Sequence, residues 1–426
     1  MVSAVLGIVA LVTMALGMPI AWALGVAGLA ALAAMGPMPL QVIPQKLFTG
    51  IDSFPLMAIP FFILSGELMG KGGITARIMK FADCVVGWIR GGLGLANVLA
   101  SMLFGGITGS AIADCSCLGP IEIQMMTEAG YDAEFSAGVT ASSACIGPII
   151  PPSIPMVVYA SAVGVSIGGL FVAGMIPGIV IGLALMAVVY IMSVKRKYPK
   201  RKERLTAQMF FKIFIEAIPA IVMPVIILGG ILGGIFTPTE AASVAVVYAF
   251  ILTIFFYKSV KLSDLPKMLC NTAVTTGVVL ILASTSNLFS WIVTMEQVGP
   301  KLGALFINYN RNMFLLMVNV LLLFVGMFMD NCPAILILGP ILAPIATSLG
   351  IHPLHFGIVF VLNMVIGLIT PPLGQVLFVA CPISNLTLEE VTRGTLPFMI
   401  TEIVVMFLIT YVPALTMWLP RLLGFA

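Results

Sequence analysis

Charge is scarce in this sequence: of 426 residues only 9% are Asp, Glu, Lys or Arg, while 60% are hydrophobic. A water-soluble domain carries about 25% charged residues, so this scarcity excludes a soluble globular fold over any long part of the chain. No Lys or Arg occurs before Lys46. The apolar N-terminus therefore lacks the basic start of a signal peptide and reads as mature membrane helix. Histidine occurs only as His352 and His355, in GIHPLHF, with no third ligand nearby, which argues against a metal centre. The seven cysteines form no framework, since Cys115 and Cys117 stand too close together; they read as small apolar packing residues. The stretch GELMGKG at 66–72 is one residue short of a phosphate-binding loop and lacks the following Ser or Thr, which argues against ATP hydrolysis. Alternating ten-residue patterning is also missing, which disfavours a transmembrane barrel.

What is present is a series of apolar runs, each near the roughly 20 residues that span a bilayer. They fall around 3–35, 51–70, 91–104, 135–160, 166–193, 213–233, 241–257, 273–293, 313–329, 333–350, 356–383 and 396–424, implying ten to twelve crossings or half-crossings of an all-α polytopic membrane protein. The run KRKYPKRKER at 195–204 holds seven basic residues in ten. The positive-inside rule places it in the cytoplasm; a contact with lipid headgroups or a partner is the other reading.

That loop divides the chain into halves that match each other. Gly119-Pro120-Ile121 precedes Pro151-Pro152, and Gly339-Pro340-Ile341 precedes Pro371-Pro372, each pair 220 residues apart. At the same offset Ile146-Gly147 falls on Ile366-Gly367, Ala160 on Ala380, and SGELM at 65–69 loosely on TSNLF at 285–289. The first half begins without basic residues and the second directly after the cytoplasmic run, so the repeat is inverted in topology. Inverted repeats build midplane sites for substrate and ion from interrupted helices of both halves.

The repeat explains an otherwise odd segment, FGGITGSAIADCS at 104–116, in which glycines, hydroxyls and a carboxylate interrupt an apolar context. It and GMFMDNCPAIL at 326–336 read as the first halves of equivalent elements, each ending in Gly-Pro-Ile; SSACIGPIIPPSIP at 142–155 and LNMVIGLITPPLGQ at 362–375 are the second pair. Paired prolines and glycines break a helix and free backbone groups at membrane depth, tolerated there only where they line a cavity or bind something. Freed carbonyls with hydroxyls suit a desolvated cation, and helix N-termini suit an anion.

Asp330 is the sharpest single residue: it can cap the helix starting near Pro333, serve an ion or substrate, or do both. Asp114 is the weaker carboxylate, because its register partner is Ala334, whereas Asp330 matches Ser110. TPTE at 237–240 reads as a structural capping box. Three function classes fit a polytopic chain. A channel suits the inverted halves poorly, and an intramembrane hydrolase using Asp114 and Asp330 would need its carboxylates at equivalent places. An ion-driven secondary transporter, not an enzyme, fits best.

The segments PFFILSGELM at 60–69, GGLGLANVLASMLFGGITGSAIAD at 91–114, PPSIPMVVYA at 151–160, GGIFTPTEAASVAVVYA at 233–249 and LITPPLGQVLFVA at 368–380 resemble the large membrane subunit of tripartite ATP-independent periplasmic (TRAP) transporters, over essentially the whole chain. The resemblance implies a bacterial inner-membrane protein of elevator type with two re-entrant hairpins and two interrupted helices. It implies sodium-driven import of an organic acid, C4-dicarboxylate or sialic acid, without further cofactor. Its partners would be a periplasmic substrate-binding protein and a small four-helix membrane subunit, expected here as a separate chain. No nucleic acid is involved. Carried onto this sequence, the hairpin tips match 105–119 and 326–340. One sodium would lie among Gly105, Ser110, Gly147 and Pro151, and a second among Gly326, Asp330, Gly367 and Thr370. Ser110, Ser153 and Asp330 would lie nearest the substrate. The scaffold would comprise 1–90 and 205–310, the moving part 91–192 and 311–426, with 193–204 as the cytoplasmic loop.

Overall fold

The computed structural model describes residues 2–36, 41–200, 206–298, 301 and 310–425, and its regular structure is entirely helical among them. Residues 201–204 of the basic run lie outside the described residues. The first repeat opens with α1 (Val2–Ala15), α2 (Ile20–Met35) and the short α3 (Val42–Thr49), then α4 (Ala58–Lys71) and α5 (Ile74–Val86). It continues with α6 (Gly92–Thr108), α7 (Ala111–Glu128), α8 (Ala133–Ala144), α9 (Ile154–Val163) and the long α10 (Ile167–Lys195). The second repeat runs through α11 (Ala207–Leu232), α12 (Pro238–Phe250, extended by a π-helical turn at Ile251–Phe256) and α13 (Leu265–Met295). It ends with α14 (Arg311–Gly326), α15 (Asn331–Ser348), α16 (Pro353–Gly367), α17 (Gln375–Ser384), α18 (Leu388–Tyr411) and α19 (Ala414–Leu422).

Seven helices among the described residues are long and apolar enough to cross a bilayer unaided, among them Ile167–Lys195, Leu262–Met295 and Leu388–Tyr411. Seven others are shorter apolar helices, among them the hairpin arms α6 and α14 and the half-helices α9, α16 and α17.

The offset of 220 holds at the level of backbone. α7 starts at Ala111 and α15 at Asn331, α8 at Ala133 and α16 at Pro353, and the Pro-Pro bonds at 151–152 and 371–372 are both cis. Cys145 and Val365 are themselves 220 apart, and the Cys145 Sγ lies 3.6 Å from the Val365 carbonyl oxygen. A residue can touch its own counterpart only close to the axis relating the halves, so that axis passes between the two interrupted helices.

One expectation needs correction. The Gly-Pro-Ile triplets do not end the broken elements: Pro120 lies inside α7 and Pro340 inside α15. The chain breaks earlier, at Gly109-Ser110 and at 327–330, where the helix restarts from an N-cap. A proline removes one intrahelical donor, a loss that a packed membrane helix tolerates, whereas a reversal of chain direction needs the left-handed backbone that Gly109 adopts at φ +62°. The capping box at Thr237 is present as read, with Glu240 Oε2 accepting from the Thr237 amide at 2.8 Å.

Two tertiary features fix the hairpin half of the molecule. α8 crosses α18 backbone against backbone: a Cβ on Gly394 would stand 1.9 Å from the Glu134 carbonyl oxygen. At the cytoplasmic end, Arg196 pairs with Asp132 at 2.6 Å, Tyr198 donates to the same carboxylate oxygen at 2.5 Å, and the Tyr131 hydroxyl donates to the Pro199 carbonyl. The Tyr198 hydrogen bond and then Arg196 hold the Asp132 carboxyl below its usual range, so the clasp is intact at neutral pH and loosens only as pH falls through that lowered value.

Gly394→Val is expected to destabilise the protein by several kcal/mol, because the added branch meets backbone that cannot yield. A large loss of monodisperse protein in detergent and a lowered melting temperature check this; an unchanged melting temperature refutes it.

Candidate functional site

The two hairpins, α6–α7 and α14–α15, point their tips at the breaks in the two interrupted helices, α8–α9 and α16–α17. Glycine makes the approach close. A Cβ on Gly105 would lie 2.5 Å from the Gly147 Cα, and one on Gly367 would lie 2.5 Å from the Gly326 Cα. The first tip is further tied down where the Ile154 amide donates to the Gly109 carbonyl at 3.4 Å.

Polar residues then pin each hairpin to its interrupted helix. In the first repeat Ser143 donates to Asn97 Oδ1 at 2.7 Å, and Asn97 Nδ2 donates to Thr140 at 2.7 Å. In the second, Asn363, the register partner of Ser143, donates to Asn319 Oδ1 at 2.8 Å.

A cavity of about 400 Å³ opens between the tips and the helices of 1–90 and 205–310. The tips contribute Thr108, Ser110 and Asp330; Pro148 and Leu368 come from the two breaks; Glu67 comes from α4, with Asn271 and Thr275 from α13. No Lys, Arg or His lines it among the described residues. Positive potential there comes instead from the N-termini of α7 and α15, both of which start at this cavity.

The residues singled out from sequence fall into distinct places. Ser110 is the N-cap of α7, its Oγ accepting from the Ala113 amide at 3.4 Å, and Asp330 is the N-cap of α15, its Oδ1 accepting from the Asn331 amide at 2.7 Å. Both also line the cavity, where the Ser110 hydroxyl can still donate and Asp330 keeps a second carboxylate oxygen. Gly105 abuts Gly147, and Pro151 offers its carbonyl toward Gly106, which brings the first group into one neighbourhood. Gly326 abuts Gly367, and Thr370 turns back on that break, its amide donating to the Gly367 carbonyl at 3.0 Å and its hydroxyl to the Ile366 carbonyl at 2.8 Å. Ser153 is not in the cavity wall. It is fully buried as the N-cap of α9, donating to the Pro148 carbonyl at 2.5 Å and accepting from the Met156 amide.

Asp114, the residue ranked below Ser110, stands directly against the first break. Thr108 donates to one of its oxygens, while Oδ2 has no partner among the described residues and points at Gly147. Sequence reasoning missed Glu67, Asn271 and Thr275. Glu67 accepts from Asn271 at 2.9 Å and pairs with Lys71 at 3.3 Å. Its signal was available, as a carboxylate inside the apolar run PFFILSGELM that matches Asn287 at the 220 offset. His355 is spent structurally, bonding to Thr416 Oγ1 at 2.7 Å and to the Thr410 carbonyl at 3.2 Å.

An inverted helical repeat whose hairpin tips and helix breaks converge on a central cavity defines a multi-pass transport protein. Residues 7–415 match the family described as the tripartite ATP-independent periplasmic transporter, DctM component. The sialic acid TRAP transporter large permease protein SiaM of Vibrio cholerae is 41% identical over 95% of both chains. The C4-dicarboxylate TRAP transporter large permease protein DctM of Pseudomonas aeruginosa is 41% identical over 94% of both. The isethionate TRAP transporter permease protein DctMQ of Oleidesulfovibrio alaskensis is 42% identical over 94% of this chain and 64% of its own length. In fold the chain is similar to the YdaH transporter of Alcanivorax borkumensis, with a TM-score of 0.61 at 14% identity, covering 90% and 89% of the two chains. The chain belongs to the DctM family, the large permease component of TRAP transporters, and is a multi-pass inner-membrane protein.

Asp330→Ala is expected to lower transport at least tenfold while the protein still inserts and purifies normally, since the carboxylate faces the cavity as well as capping α15. A variant that fails to fold, together with full uptake by the cap-competent Asp330→Asn, would assign Asp330 to the cap alone.

Proposed function

We propose that this protein is the permease subunit of a sodium-driven, binding-protein-dependent importer of an organic acid anion, working as an elevator. The observation that carries the reading is the composition of the central cavity: helix N-termini, hydroxyls and the carboxylates of Glu67 and Asp330 but no basic side chain among the described residues, beside two backbone breaks that present oxygen. An anion in such a site needs companion cations, and carbonyls with the hydroxyl of Thr370 are hard-oxygen ligands of the kind sodium takes. One ion would sit by Gly105, Ser110, Gly147 and Pro151, the other by Gly326, Asp330, Gly367 and Thr370. The unpartnered Asp114 oxygen supports the first placement.

In this reading 1–90 and 205–310 form the fixed frame, while 91–192 and 311–426 move as a block. The cavity supports the division because tips and breaks form one wall and α4 and α13 the other. The substrate is of the class named for the relatives, a sialic acid or C4-dicarboxylate, and Asp330 would meet a hydroxyl or amide of it, since a carboxylate repels a carboxylate. The partners are a periplasmic binding protein and a small membrane subunit. Docking would use 36–50, of which 37–40 lie outside the described residues, together with 233–240 and the far end of the second hairpin. A self-sufficient carboxylate transporter is the second reading, favoured by the buried Asp114, which could also serve proton coupling.

Reconstitution with both partners decides between them. Uptake of sialic acid or succinate is expected to need an inward sodium gradient and loaded binding protein on the extracytoplasmic side. Equal uptake under a pH gradient in sodium-free buffer would overturn the sodium assignment, and robust uptake without binding protein would favour the self-sufficient reading.

A further inference from the structure

The basic run that follows α10 is anchored at alternate points. Arg196 pairs with Asp132, the buried Tyr198 ring lies 4.5 Å from that of Tyr131 and 4.9 Å from that of Phe135, and the Pro199 carbonyl accepts from the Gly91 amide at 3.3 Å. Between these anchors Lys197 takes the left-handed backbone at φ +58°, which residues with a side chain rarely adopt. Lys195, Lys197 and Lys200 are left exposed, with no ion pair among the described residues. A topology signal needs only positive charge. This run has a fixed backbone as well.

The anchors bring a second segment alongside. Gly91 packs on the last turn of α10, where a Cβ on it would stand 2.1 Å from the Ser193 Oγ. Just before it come Arg90, also exposed and without an ion pair among the described residues, and Trp88, which is 70% exposed and donates its indole N–H to the Val85 carbonyl at 2.9 Å. Asp132 is already taken by Arg196 and Tyr198.

This face lies at headgroup level. α10 runs for 29 residues, about 43 Å, against roughly 30 Å of hydrocarbon, so its last turns leave the apolar layer on the cytoplasmic side. Exposed Ile179, Leu183, Ala187, Ile191 and Val194 form one apolar stripe along it, at steps of three or four residues, and the stripe ends at Lys195. A phospholipid has the same order, with acyl chains leading to an anionic phosphate. Tryptophan favours the boundary between the two.

We infer that this face binds an anionic phospholipid of the cytoplasmic leaflet, with its chains along α10, its phosphate among Lys195, Lys197, Lys200 and Arg90, and Trp88 at the boundary beside it. Each basic residue at an anionic surface adds attraction. Because the backbone that carries the lysines is already fixed, less freedom is lost on binding than in a loose tail.

Quenching of Trp88 fluorescence by brominated lipid tests this on the full chain, with Trp22, Trp291 and Trp418 replaced by phenylalanine. In phosphatidylcholine vesicles, brominated phosphatidylglycerol is expected to half-quench Trp88 at about a tenfold lower fraction than brominated phosphatidylcholine does. Equal quenching by the two lipids would overturn the site. The joint variant Lys195→Ala, Lys197→Ala and Lys200→Ala keeps four of the run's seven basic residues and is expected to lose the preference. Arg201→Ala, Lys202→Ala and Arg204→Ala together remove as much charge and are expected to leave it in place. Equal loss in both variants would replace the ordered site by diffuse attraction to net charge, and an undiminished preference in the first would overturn it outright. Inorganic phosphate is expected to weaken the quenching no more than sodium chloride of the same ionic strength. A selective reversal by phosphate would assign the face to a free anion and overturn the lipid.

Discussion

Everything in this molecule depends on where the polar backbone goes when a helix is interrupted inside a membrane. Unpaired amide and carbonyl groups cost several kcal/mol each in hydrocarbon, so a break survives only when something else occupies its groups. Here turn bonds inside each break take many of those groups, as where the Gly147 amide donates to the Ala144 carbonyl and Thr370 to that of Gly367, and the tip of a hairpin packs over each break through glycine pairs, Gly105 on Gly147 and Gly326 on Gly367, where any side chain would force the elements apart. The hairpin tips thus cover the breaks, and the cavity opens beside them, between the tips and the helices α4 and α13.

The halves satisfy this requirement with different side chains at matching places. Ser143 and Asn363 each pin a hairpin arm to an interrupted helix, yet one does so with a hydroxyl and the other with an amide. Ser110 and Asp330 each start a hairpin's second arm, one neutral and one acidic. Geometry is repeated and chemistry is not, which lets one architecture present an asymmetric site to an asymmetric ligand.

This division also explains what could be read from the sequence. The repeat was legible to the residue because Gly-Pro-Ile and Pro-Pro mark backbone conformation, and conformation is what the symmetry preserves. Helix caps such as Thr237 and Asp330 were legible because they act within one turn. Harder to read was anything depending on which helices lie side by side. Glu67 stands about 200 residues before Asn271 and Thr275, and although each side has local features, only the packing of α4 against α13 makes them neighbours. Ser153 presents the opposite case. The family resemblance places it near the substrate, whereas in the structure its hydroxyl bonds to the Pro148 carbonyl and caps α9, both local bonds that the residue's type does not reveal.

The touching of Cys145 and Val365 has a mechanical meaning. It joins the two interrupted helices beside their breaks, through the thiol of one residue and the carbonyl of its own counterpart. What differs between them is the side chains that each break meets. One faces the carboxylate of Asp114; at the corresponding place the other has the methyl of Ala334. A cation leaving water recovers more of its lost hydration beside a negative charge than beside a methyl group. In the proposed reading, cations at the two breaks would thus meet a carboxylate from different places, Asp114 within α7 at the first and Asp330 at the N-cap of α15 at the second.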